Sequence, residues 1–158
     1  MKAASVSQLK KELAFRSQDE LLELCLRLSK FKKENKELLT YLLFESDNEA
    51  EFISEVKKEI DEQFAGINTR TWYFIKKSVR KILKDVKKHA RYSGKTETEV
   101  ELLIYFCAKL KSFPKPIHRN KTLQNLYERQ LQLINTKLEK LHEDLQYDYR
   151  LQIEEFNL

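Results

Sequence analysis

The sequence predicts an all-α protein, and three observations carry that expectation. Only two glycines and two prolines occur in 158 residues, 35% of the residues are charged, and several apolar-periodic stretches open on Ser or Thr followed three places later by Glu or Gln. Glycine and proline punctuate sheets, tight turns and phosphate loops, so their scarcity excludes a Rossmann domain, a P-loop enzyme and a hairpin-rich β fold. The length is that of one domain, which predicts a single all-helical domain over 1–158. About seven helices in antiparallel hairpins are expected, as an irregular bundle or solenoid-like stack with a long C-terminal helix.

Taken in order, Ser5 with Gln8 opens a short helix over 6–15, and Ser17 with Glu20 opens one over 18–30, each as a capping box. A helix over 33–45 follows at once. Ser46 with Glu49 opens 48–64, which Gly66 and Asn68 close; a helix over 70–92 ends at Gly94, a residue suited to the left-handed conformation. Thr96 with Glu99 opens 97–112, which Pro114 and Pro116 end, and the last helix covers 119–156. The short links pair these helices as hairpins over 18–45, 48–92 and 97–156. The segments share no alignable pattern, so a repeat array is not expected.

Helical periodicity separates core from surface. In 97–112 the apolar residues run nearly all round the axis, including Val100, Leu102, Leu103, Ile104, Phe106, Cys107 and Leu110, which predicts the centre of the fold. Helix 48–64 has one apolar arc, Phe52, Ile53, Val56, Ile60 and Phe64, beside an acidic edge of Glu51, Glu55, Glu59 and Glu62. In the last helix Tyr127, Ile134 and Leu141 alternate with Leu131, Leu138 and Leu145 at coiled-coil spacing, read as a seam against the N-terminal helices or against a second subunit. Tyr147, Tyr149, Ile153 and Phe156 either fold back as a separate short helix or fix that pairing with a second subunit.

Charge is distributed unevenly beneath the net +5: residues 65–95 carry ten Lys or Arg against one acidic residue, and 44–64 carry two against eight. On helix 70–92, Trp72, Ile75, Val79, Ile82, Leu83, Val86 and Ala90 make a core-facing stripe. The adjoining arc holds Tyr73, Lys76, Lys77, Arg80, Lys81, Lys84, Lys87, Lys88 and Arg91. This positive strip is the candidate binding face. It suits a phosphate backbone or an acidic partner, unless the acidic edge of 48–64 pairs with it. Lysine outnumbers arginine there, which favours binding with little base preference.

Catalytic constellations are not visible. No nucleophile stands in a glycine-flanked turn, and no Cys-x-x-Cys or Gly-rich phosphate loop is present. Glu139 and His142 match the Glu-x-x-His spacing of di-metal helical bundles, but the second copy such a site needs is missing. No metal site, cofactor or catalytic residue is therefore expected, with a helical metal-dependent enzyme the most distant reading. His89 and His118 read as surface or local structure, and Cys25 and Cys107 as buried free thiols.

The stretches Leu9-Lys10-Lys11-Glu12-Leu13, Ser17-Gln18-Asp19-Glu20-Leu21-Leu22 and Phe31-Lys32-Lys33-Glu34-Asn35 resemble the start of small bacterial all-helical proteins classed as a domain of unknown function. That resemblance covers residues 9–45 and implies no activity. The same opening is similar to the helix–extension–helix of SAP-type DNA-binding modules, without the glycine those modules place before their second helix.

The expectation is a cytoplasmic, non-enzymatic helical binding or scaffold module without a membrane span. Its partner would be an unidentified protein or a second copy held through the C-terminal helix, with sequence-nonspecific nucleic-acid binding on the basic face as the alternative.

Overall fold

The computed structural model describes residues 1–158, which form eight α-helices and no strand. The chain divides into two compact units, Met1–Phe44 and Glu45–Leu158. No helix is long and apolar enough to cross a membrane.

The first unit holds α1 (Val6–Leu13), α2 (Gln18–Phe31) and α3 (Lys33–Thr40). Both expected capping boxes form: Ser5 with Gln8, and Ser17 with Glu20, whose carboxylate accepts the Ser17 amide at 2.8 Å. That backbone bond and the neighbouring Arg16 guanidinium hold the Glu20 carboxyl below its ordinary value. A single extended residue, Lys32, links α2 to α3, and Asn35 donates its side-chain amide to the Leu28 carbonyl at 2.8 Å, fastening the hairpin. The 33–45 helix of the sequence reading widens into a π turn over Tyr41–Glu45. Cys25 is exposed, against the expectation that it is buried, because the hairpin is too thin to cover it.

The second unit is a bundle of α4 (Glu49–Ala65), α5 (Trp72–Ser93), α6 (Thr96–Lys111), α7 (Lys121–Leu138) and α8 (Glu143–Glu155). Helix α6 packs against α4, α5, α7 and α8, so its all-round apolar pattern is matched by cover on every side. Val100, Leu102, Leu103, Phe106, Cys107 and Leu110 are completely inaccessible to solvent. Each large apolar side chain buried this way contributes roughly 1.5–3 kcal/mol. Burial also pushes the Cys107 thiol up to about 12, which leaves it an inert apolar residue. The predicted apolar arcs of α4 and α5 are the buried ones, with Trp72 half-buried at the end of its stripe.

Three local features differ from the sequence reading. Helix α4 is capped by Asn48, not Ser46: its Oδ1 accepts the Glu51 amide and its Nδ2 donates to the Glu51 carboxylate at 2.7 Å. Glu49 is thereby released to accept from Ser93 at 2.5 Å, Thr98 at 2.6 Å and Lys95 at 2.8 Å, joining the start of α4 to the α5–α6 turn. Helix α6 begins one residue early, with Lys95 as an N-cap that makes no side-chain hydrogen bond; Thr96 lies inside the helix, and Glu99 pairs with Lys137 instead of capping. Gly94 takes the expected left-handed conformation, at φ +68°.

The third difference is the last helix, which breaks between Leu138 and Glu143 into α7 and α8. No glycine or proline marks the break. His142 caps α8 through Nδ1, which accepts the Asp144 amide at 3.3 Å; Gln146 donates to the Leu141 carbonyl; and Glu143 and Asp144 complement the helix dipole. Folding back packs α8 on α6 and α7 and buries Tyr149, whose hydroxyl reaches the Glu97 carbonyl at 3.5 Å. The heptad seam of α7, centred on Tyr127, Ile134 and Leu138, closes on α6, where the sequence reading had set it against the N-terminal helices or a second subunit.

Candidate functional site

Helices α5 and α7 both lie against α6, and the space between them is an open groove. One stretch of about 720 Å³ is lined by Arg80, Leu83 and Lys87 from α5 and by Lys121, Asn125, Leu126, Arg129, Gln130 and Leu133 from α7, among others. A second stretch of about 500 Å³ continues past Lys84 and Arg91. The groove therefore has six cationic side chains on its walls, Arg80, Lys84, Lys87 and Arg91 facing Lys121 and Arg129, with leucines between them and one carboxylate, Glu99, which is bridged to Lys137.

The local sequence explains this placement. On α5, Ile75, Val79, Ile82, Val86 and Ala90 are buried, which turns Arg80, Lys84, Lys87 and Arg91 along one flank of that stripe, toward α7. On α7, burial of Leu123, Tyr127, Ile134 and Leu138 turns the i, i+4, i+8 row of Lys121, Asn125 and Arg129 toward α5. The predicted strip is thus divided. Lys77, Lys81 and Tyr73 are exposed and, with half-buried Lys76 and Lys88, fall outside the groove-lining set. Tyr73 packs edge-on against Phe74 with ring centroids 5.5 Å apart, and Lys88 sits over the Tyr92 ring at 5.9 Å. Lys121 and Arg129 were missed by the sequence reading because they lie far along the chain in a segment with no net positive charge; their eight-residue spacing, with Asn125 midway, was the available signal.

The acidic edge of α4 does not cover the groove. Glu51 is held by Asn48, Glu55 by Lys58 within its own helix, and Glu59 approaches His89 at 3.8 Å. Elsewhere in the unit, charges are matched across α6: Lys57 with Glu101 at 2.6 Å, Lys109 with Asp61 at 2.9 Å, and Lys137 with Glu99 at 2.5 Å. None of these pairs engages Arg80, Lys84, Lys87, Arg91, Lys121 or Arg129. Partial burial opposes ionisation of Asp61, but hydrogen bonds from Lys109 and Tyr105 outweigh it and hold the carboxyl below its usual value. Tyr105 is pushed up to about 12 by burial and by Asp61.

Gln130 adds one polar group to the groove wall. It is 5% exposed, its Nε2 donates to the Leu126 carbonyl at 3.1 Å, and its buried Oε1 has no partner. The helix break also removes the premise of the Glu-x-x-His pair, since Glu139 lies past the end of α7 and His142 is an exposed cap of α8. No group of three or more His, Cys, Asp or Glu is placed to hold a metal ion.

No family model, curated protein or solved structure matches the chain.

Proposed function

We propose that the protein is a non-enzymatic helical binding module whose α5–α7 groove takes the phosphate backbone of a nucleic acid with little sequence preference. The observation that supports this most is the set of six unpaired cations facing one another across an open groove. A row of six like charges that make no ion pair repel one another, and that repulsion is relieved when an external polyanion enters. Over Arg80 to Arg91, α5 rises roughly 16 Å. Duplex DNA carries one charge per about 1.7 Å of axis, so a row of this length meets several phosphates. Arg80, Arg91 and Arg129 can each grip a phosphate through two nitrogen donors, while the lysines act as point charges.

The test is fluorescence polarisation of labelled 20-residue single strands and duplexes, titrated at 50 and 200 mM salt. Affinity is expected to fall by about two to three orders of magnitude across that range, as release of four to six counterions requires. Absence of binding at 50 mM salt, or equally tight binding of polyglutamate, would remove nucleic acid as the ligand of the groove.

A further inference from the structure

The first unit poses a separate problem, because its helices bury almost nothing. Within Met1–Phe44 only Tyr41 is buried, and α1, α2 and α3 contain no buried residue. Leu22, Leu24, Leu28, Phe31, Leu43 and Phe44 are between 40% and 78% exposed. On α2, Leu24, Leu28 and Phe31 fall within about 60° of the helix circumference and form one exposed apolar face, with Leu22 on the other side. A unit of this size is at the limit below which oligomerisation is usually needed to complete a core.

The charges on α2 indicate what completes it. Asp19, Glu20 and Glu23 occupy its N-terminal half, and Arg27 and Lys30 its C-terminal half, followed by Lys32 and Lys33. Two such helices laid antiparallel about a two-fold axis near Leu24 place each acidic half on the other's basic half, whereas a parallel pair sets like on like. A two-fold interface requires a self-complementary patch, and this gradient is one. We infer that the α2–α3 hairpin pairs with the same hairpin of a second copy of this chain, α2 antiparallel to α2, with the exposed leucines and Phe31 between them.

The experiment is sedimentation equilibrium of the full chain, with two charge-swapped variants that leave the apolar surface intact. One carries Asp19→Lys with Glu23→Lys, the other Arg27→Glu with Lys30→Glu; circular dichroism confirms that each is folded. The wild type is expected to be a dimer at micromolar concentration. Each variant alone should dissociate at least tenfold more readily, because like charges then face each other, and an equimolar mixture should recover dimerisation, because a basic α2 then meets an acidic one. A monomeric wild type at 100 μM, a dimer indifferent to both swaps, or a mixture that fails to recover would each overturn the inference.

Discussion

The α4 flank of α6 and the groove between α5 and α7 treat charge differently, although one matched pair, Lys137 with Glu99, also stands on the α7 flank. On the α4 side every polar bridge to α6 is matched: Lys57 with Glu101, and Asp61 with both Lys109 and Tyr105. On the α5–α7 side six cations line a groove and none has an acidic partner. Matched charges on the α4 side join helices of the bundle to one another; the six cations of the groove make no such bridge, which is what the proposed function rests on.

The largest expected effect breaks both sides together. Phe106→Ala removes a fully buried ring from the helix they share and should cost about 3–5 kcal/mol in urea denaturation, with loss of binding following loss of fold. Next is Glu49→Ala, which strands the Ser93 and Thr98 hydroxyls and frees Lys95. It should cost about 1–3 kcal/mol while leaving nucleic-acid affinity unchanged. Asp61→Asn weakens a half-exposed bridge, so a loss of at most about 1 kcal/mol is expected. Because the folded state holds the Asp61 carboxyl below its ordinary value, its contribution is present above the unfolded pKa and is lost as pH falls through the folded one. Wild type and Asp61→Asn should therefore converge in stability in acid.

Alkaline titration examines the same matched side from the other end. Tyr105 is pushed up to about 12 by burial and by Asp61, and Tyr149 to about 12 by burial and by Glu101 and Glu97. An unfolded tyrosine ionises near 10, so the unfolded state loses its protons first and stability falls as pH rises from about 10 to about 12. Tyr105→Phe with Tyr149→Phe should flatten that fall in thermal melts followed by circular dichroism. The smallest effect separates the groove from the rest of the basic strip. Lys77→Glu with Lys81→Glu, on the outer face of α5, should weaken binding less than Lys84→Glu with Lys87→Glu, which lie in the groove.

Much of this was legible in the chain before its structure. The arcs of α4 and α5, the centrality of α6 and the left-handed Gly94 follow from periodicity and punctuation, which are local properties. That the tail folds back was one of two open alternatives, but the place of the break at 139–142 was not legible, because it depends on a histidine cap and on the burial of Tyr149 against α6, a contact 52 residues away in sequence. The caps of α4 and α6 were misplaced for a related reason: Glu49 and Glu99 have better partners in tertiary contacts than in their own first turns. The α5 wall of the candidate groove was visible as a charge run. Lys121 and Arg129 carry no such run, and only packing on α6 brings them opposite it.

The central claim is that unmatched cations in the α5–α7 groove hold a phosphate backbone, and the slope of log affinity against log salt tests it most directly. Wild type should give a slope of about −3 to −5, near −0.7 to −0.9 for each phosphate contacted. Replacing Arg80, Lys87 and Arg129 by Gln, with no change in melting temperature, should reduce its magnitude by about 2 or more. An unchanged slope in that variant would contradict the account.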